Sequence, residues 1–378
     1  MKILGIMTGT SLDGMDFALT NFEEIEGNTK LSIIATHFFP YSHYLINKIQ
    51  SIISGKFHIS EFSQLNYYLS HLFSDKYYEF INLYSIDESE ISCISIHGQT
   101  LWHNPQATPF LDMQISSTLQ ATNLSALAKL TSKPVIGDFR SGDIALGGEG
   151  APLVPIFDYD IFHTSEENRI LLNIGGISNL TFLPINCNAS QLLAFDCGPG
   201  NMMIDYLSEQ YFNIPFDKNG DIARRGSLNM QLLDILLEDD FISKEPPKST
   251  GREKYNPQYI QSALKLLNHP IENIDILRTF TEFTAIAISQ NIIQYADSNS
   301  TVIVSGGGMN NLFLMELLQS KLSEADFKKI EDFGIPSDFK EAIAFAYLGY
   351  LNINHKVGNV HKATGALKPT ILGTISLP

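Results

Sequence analysis

The sequence predicts an α/β fold with a substantially parallel sheet, and three observations carry that expectation. Short apolar runs ending in glycine turns recur: ISCISIHG at 91–98, KPVIGDF at 133–139, RILLNIGG at 169–176, LLAFDCG at 192–198 and TVIVSGGG at 301–308. Between them lie segments of helical period. Phe62, Leu65, Leu69, Phe73 and Phe80 share one face of 60–84, and Phe339, Ile343, Ala346, Tyr347 and Tyr350 share one face of 339–350. The 378 residues exceed what one hydrophobic core usually supports, so two domains are expected.

The first element sets the problem. Ile3, Leu4 and Ile6 precede the stretch GTSLDG (9–14), and Phe17 and Leu19 follow it. This is a strand, a tight polar turn and another strand. The turn reads as a hairpin loop in which Gly and Asp take positive φ. It reads equally as a phosphate cradle, where small residues admit backbone N–H groups to an anion and Asp13 or Asp16 holds Mg²⁺, directly or through water. The stretch alone leaves both open. A second strand–turn–strand, ILLNIGGISNLTFL (170–183), lies half a chain away. A duplicated α/β fold with one such hairpin per domain would set the two turns face to face across a cleft.

Seven glycine turns follow predicted strands, at 9–14, 96–100, 137–143, 146–152, 173–179, 195–201 and 304–311. The C-terminal ends of strands are where open α/β sheets bind ligands. No GxxxxGK[ST] run, no strand–GxGxxG–helix fingerprint and no protein-kinase signature is present. A bound nucleotide would therefore sit on paired hairpins. The first would use Gly9, Thr10, Ser11, Leu12, Asp13, Gly14, Met15 and Asp16. The second would use Gly175, Gly176, Ser178 and Asn179, with Gly306, Gly307, Gly308 and Asn310 against the adenosine.

The bulk properties exclude some partners. A net charge of −16 argues against nucleic acid, while leaving room for a small anion in a local pocket. Three cysteines, none in a CxxC pair, point to a reduced, cytoplasmic setting, and Cys197 reads as a small buried hydrophobe. The apolar run after Lys2 is too short for a signal peptide, and no run is long enough for a bilayer, so no membrane partner is expected. The polar segment 244–257 reads as a surface loop of the second domain. Its Lys248, Ser249, Thr250 and Arg252 either reach a ligand or are solvated.

Nearly end to end, the chain resembles the anhydro-N-acetylmuramic acid kinase family. The resemblance rests on MTGTSLDGMD (7–16), SIHGQTLWHNP (95–105), GDFRSGDIALGGEGAPLVP (137–155), LLNIGGISNLTFL (171–183), FDCGPGNMMID (195–205), PPKSTGRE (246–253) and GIPSDFKEAIAFA (334–346). It implies two ribonuclease H-like, actin-like ATPase domains with a central cleft. Domain I would hold 1–141 with 355–378 returning to it, and domain II 142–354. It implies a reaction in which ATP and water open the 1,6-anhydro ring of anhydro-N-acetylmuramic acid and place the γ-phosphoryl on O6, in cell-wall recycling. ATP and Mg²⁺ are the expected cofactors and the anhydro sugar the expected small-molecule partner, with a homodimer left open.

The same resemblance carries the general-base role to Asp196, whose ordinary alternative is a turn-capping carboxylate. It assigns His97, Gln99, Thr100, Asp138, Arg140, Asp143 and Glu341 to the sugar. Arg140 would meet the lactyl carboxylate or pair with Asp138 or Asp143. Glu341 would be a second carboxylate near the water or a helix-start charge. Trp102 and His103 would line the pocket or simply pack. Ser141, Gly142 and Glu149 depart from the family, which often has two arginines and a glutamine there. HKATGA (361–366) departs as well.

Overall fold

Strand β1 (Lys2–Met7) is buried on both faces, which is why it reads as a nearly continuous apolar run. Leu4 and Ile6 join a core with Phe17, Leu69, Phe73, Tyr77 and Phe80. On the other face Gly5 meets the helix Lys340–Ile353. A Cβ at Gly5 would stand 2.0 Å from the Ala342 carbonyl oxygen. Gly5→Ala must push strand and helix apart, at a cost of about 1–3 kcal/mol or more. A melting temperature equal to that of the wild type would refute this reading of the contact. The computed structural model describes the chain except residues 26 and 298 and the side chain of Asn28.

Two compact units emerge: 1–161 with 339–378, and 162–338. In the first, β1 pairs antiparallel with β2 (Gly14–Ile25), and β2 with β3 (Asn28–Pro40). On its other edge β1 runs parallel to β4 (Ile91–Ile96). A separate two-stranded ribbon, β5 (Gln99–Phe110) and β6 (Met113–Ala121), precedes β7 (Val135–Gly137), which runs parallel to β4. The helices His43–Ile53 and Ile59–Tyr84 supply Ile49, Leu69, Phe73 and Phe80 to the core around β1. The second helix starts on a reciprocal cap. The His58 ring nitrogen accepts from Ser60 N–H at 3.3 Å, and Glu61 accepts from His58 N–H at 2.9 Å.

In the second unit β8 (Asn168–Ile174), β9 (Ile177–Leu183) and β10 (Leu193–Pro199) form an antiparallel meander. β11 (Ser300–Ser305) lies parallel to β8, and β12 (Asp326–Lys329) parallel to β11. The helix Asn273–Ile293 is buried on several sides. Phe280, Phe283 and Ala287 pack in one apolar cluster, and Ala285, Ile288 and Ile292 in another against β8 and β11. A last strand, β13 (Thr374–Ser376), adds to β7.

The two sheets have one plan. The first reads β3–β2–β1–β4–β7 with β13 appended, and the second β10–β9–β8–β11–β12. In both the spatial order is third, second, first, fourth, fifth, with the first three strands antiparallel and the last two parallel to the first. This is the duplicated α/β arrangement that the paired hairpins lead one to expect, and the ribonuclease H-like plan that the family resemblance implies. The units divide at 161/162 and 338/339, whereas 141/142 and 354/355 were the expected boundaries. The physical reason is the helix Lys340–Ile353, which packs on β1. Lys340 pairs with Asp158 at 2.8 Å and the Tyr347 hydroxyl donates to Asp160, which fastens 155–161 to the first unit. Among the described residues no helix is long and apolar enough to cross a membrane.

Candidate active site

The first glycine turn opens where the β1–β2 ladder ends, at the pair Met7 and Asp16. Leu12 takes φ +61° yet buries its side chain in the core beside Met15, so the turn is bent against a bulky residue's preference. Neither Leu12 nor Met15 offers a side chain to a ligand. What they contribute is the shape of the backbone. Thr10, Ser11 and Asp13 are exposed, and the Ser11 hydroxyl donates to the Asp13 carboxylate. Gly14 is obligatory, because a Cβ there would lie 2.4 Å from the Phe39 carbonyl oxygen. Asp16 is half-buried on β2.

The motif after β4 is tied to that turn. Gln99 Nε2 donates to Gly9 O at 3.1 Å, and its Oε1 is buried with no hydrogen-bond partner among the described residues. His97 is 4% exposed. Its Nδ1 lies 3.3 Å from the Thr8 carbonyl oxygen and its Nε2 accepts from Arg140 Nε at 2.9 Å, which selects the neutral Nδ1–H tautomer. Burial, with Arg140 adding to it, holds the imidazole well below its ordinary pKa. Arg140 also donates to Gly150 O at 2.6 Å, and burial lowers its guanidinium to about 10, with Glu341 and Asp143 opposing. It forms no ion pair among the described residues, with Asp138 or otherwise.

The other residues expected at the sugar differ in burial and in hydrogen bonding. Asp143 is fully buried. One oxygen accepts from Gly150 N–H at 2.8 Å, the other from Asn359 Nδ2 and the Thr364 hydroxyl, each at 2.7 Å. It clamps the 141–150 loop to the C-terminal segment, and each of its oxygens accepts a hydrogen bond within the protein. Asp138 is exposed at φ +56° and accepts from the Ser141 hydroxyl. Thr100 is half-buried opposite Gln120. Trp102 is exposed, with Nε1 donating to Ser117 Oγ at 3.1 Å, and His103 bonds Thr118 across the same ribbon at 3.0 Å. Glu341 stands in the first turn of Lys340–Ile353 with surface open to solvent. The dense protein around it pushes its carboxyl up, against Arg140 and Lys340.

In the second unit, three glycine segments converge at the end of β8. The Gly175 carbonyl accepts from Asn201 N–H at 2.8 Å, and the Gly176 carbonyl from Gly200 and Met202 N–H at 2.9 and 3.1 Å. Gly306 takes φ +84°, and a Cβ there would lie 2.6 Å from Asn173 Oδ1, while one at Gly308 would lie 2.2 Å from the Ile174 side chain. Gly307 and Asn310 are exposed beside them. Ser178 is buried and donates to the Gly198 and Pro199 carbonyls at 3.1 Å, a structural bond. Asn179 pairs with Asp196 across β9 and β10.

Asp196 sits beside a β-bulge in β10, a device that re-aims a side chain. Its Oδ2 accepts from Thr250 N–H at 2.8 Å and its own N–H donates to Lys248 O at 3.2 Å. Burial raises its carboxyl to about 6; Glu253 adds to the rise, while the Thr250 N–H and Lys248 resist it. The 244–257 segment is thus an ordered wall of the site. Lys248 is buried, not solvated or turned to a ligand. Cys197 is fully buried and burial holds its thiol protonated.

Paired sheets of this plan, each with a glycine turn after its first strand, define an α/β protein built on two ribonuclease H-like sheets. The sequence model of a family described as anhydro-N-acetylmuramic acid kinase matches residues 1–378. The protein of that name from Clostridioides difficile (strain 630) is 37% identical over 380 residues, covering 100% of this chain and 98% of its own. Its counterpart from Caldanaerobacter subterraneus subsp. tengcongensis is 35% identical over 385 residues, covering 99% and 96%. Among solved structures, the activator of the 2-hydroxyisocaproyl-CoA dehydratase from Clostridium difficile covers 92% of this chain and 94% of its own, at 11% identity and a TM-score of 0.42. The chain belongs to the anhydro-N-acetylmuramic acid kinase family and is a phosphotransferase.

Proposed function

We propose that the protein uses ATP and water to convert 1,6-anhydro-N-acetylmuramic acid into N-acetylmuramic acid 6-phosphate and ADP, in the recycling of cell-wall sugar. The anhydro sugar has no free O6 hydroxyl to deprotonate. Water attacks the anomeric carbon and gives its proton to Asp196, the C1–O6 bond breaks, and O6 takes the γ-phosphoryl as ADP leaves. The observation that carries this reading is the Asp196 carboxyl, half-buried, oriented by the Thr250 N–H and raised to about 6. Such a group is ionised near neutrality and still basic enough to accept a proton.

The other roles follow from chemistry. Backbone N–H groups of the turns at 9–14 and 175–176 hold phosphate oxygens, and the 306–310 turn takes the adenosine. Arg140, a half-buried cation with no ion pair among the described residues, suits the lactyl carboxylate. The buried Gln99 Oε1, still lacking a donor, suits a hydroxyl or amide N–H of the sugar. Glu341 is a second carboxylate for the sugar or the water. No group of three or more potential metal ligands occurs among the described residues. Asp13, exposed in its turn, and Asp16 fit a Mg²⁺ that comes with the triphosphate and keeps its waters. Bound there, Mg²⁺ would neutralise phosphate charge. A reaction fed by ATP fits the cytoplasm, where three cysteines with no CxxC spacing would stay reduced.

Oxygen-18 water tests the reaction. The product should carry the heavy isotope on the anomeric oxygen and an opened ring. An unlabelled sugar phosphate with the ring intact would replace this reading with ordinary hydroxyl phosphorylation.

A further inference from the structure

A buried lysine does not enter the chemistry above. Lys248 is 6% exposed and forms no ion pair among the described residues. Its ammonium donates to the Phe241 and Ile242 carbonyls at 3.1 and 2.9 Å, and lies 5.1 Å from the Phe241 ring centre and 5.6 Å from that of Phe195. Burying an ammonium without a counter-ion is costly, so carbonyls and ring faces must hold it. An apolar residue would fill the same space more cheaply.

The surroundings suggest what the charge does. The Lys248 carbonyl accepts from Asp196 N–H at 3.2 Å, and two residues later Thr250 N–H reaches Asp196 Oδ2 at 2.8 Å. Ile242 O, which takes the ammonium, also accepts from Asn291 Nδ2 at 3.4 Å, and Asn291 donates to Cys197 O at 3.2 Å. The circuit closes on itself: β10, Asn291 on the helix Asn273–Ile293, the short helix Asp240–Ser243, Lys248, the loop and back to Asp196.

We propose that Lys248 is a positioning residue for Asp196: pinned to the Phe241 and Ile242 carbonyls, it holds the loop whose Thr250 amide aims the carboxylate. This rests on the assignment of Asp196 as the base. The groups facing that carboxylate are Thr250 N–H, Lys248 and Glu253 on the loop, Asn179 across the ladder and the Cys197 thiol beside it. Lys248 is the favourable charge among them, so its loss leaves only the Thr250 N–H to oppose burial and Glu253.

The test is Lys248→Met in the full chain, with Lys248→Gln as a second neutral variant. Turnover should fall about tenfold or more through misplacement of the base, with the ATP KM little changed. The Asp196 carboxyl is followed by carbon-13 NMR in aspartate-labelled protein without substrate, assigned with Asp196→Asn. Its titration midpoint should rise by about half a pH unit or more. An unchanged midpoint, or failure of both variants to fold, overturns the positioning role. The titration needs no substrate, so it stands or falls separately from the oxygen-18 result.

Discussion

Asp196→Asn is expected to lower turnover by about 10²-fold or more while ATP binding stays near the wild-type value. The side chain keeps its size, and the asparagine oxygen can still accept from Thr250 N–H. What is lost is the acceptor proposed for the water's proton. The wild type should lose turnover as pH falls through about 6, because protonation disables the base. The variant's residual rate should lack that limb. Stability moves the other way. The folded state raises this carboxyl, chiefly by burial, so its ionised form opposes folding. That penalty is absent when the group is protonated and appears as pH rises through the unfolded value toward about 6. At neutral pH the amide should therefore melt no lower than the wild type. A variant with near-normal turnover would remove Asp196 from the base role, and one that loses ATP binding equally would make it a scaffold residue.

The parts of this site legible in the sequence are those written locally. The polar turns at 9–14 and 175–176 stand between apolar strands, and the helix read at 60–84 appears as Ile59–Tyr84 because its period is clean. Asp196 at the end of a predicted strand is local too. What escaped is carried by long-range partners. Thr250 lies 54 residues from the carboxylate it orients. Asp143 meets Asn359 and Thr364 at separations of 216 and 221 residues, and no pattern around Asp143 tells a brace from a ligand contact. Lys248, in a polar proline-bearing stretch, reads as solvated or as reaching a ligand, and only the packing of Phe195 and Phe241 around it shows that it is neither. The ribbon of β5 and β6 was hidden by Pro105 and Pro109. Proline disrupts a ladder in a central strand, but a two-stranded ribbon has only edges.

Gly200→Ala should cost at least about tenfold in ATP affinity, and the reason lies in which way the second turn faces. The carbonyls of Gly175 and Gly176 are taken by the N–H groups of Gly200, Asn201 and Met202. Because a peptide unit is planar and trans, each carbonyl turned toward 200–202 sends the following N–H, those of Gly176 and Ile177, the opposite way. Those outward amides are the donors a phosphate would meet, so 200–202 sets their direction without touching the ligand. A Cβ at Gly200 would stand 2.3 Å from the Gly175 carbonyl oxygen, a contact with backbone that no side-chain rotation relieves. The turn must shift, and the amides with it. Gly176 is the contrast. A Cβ there first meets the end of the Met202 side chain at 3.3 Å, which can swing aside, so Gly176→Ala should bind ATP within a few-fold of the wild type. Equilibrium titration with a non-hydrolysable ATP analogue, beside melting curves for both variants, separates the two effects. If Gly200→Ala binds the analogue as the wild type does, the 175–176 turn is not the phosphate cradle and the nucleotide's triphosphate must be held elsewhere in the chain.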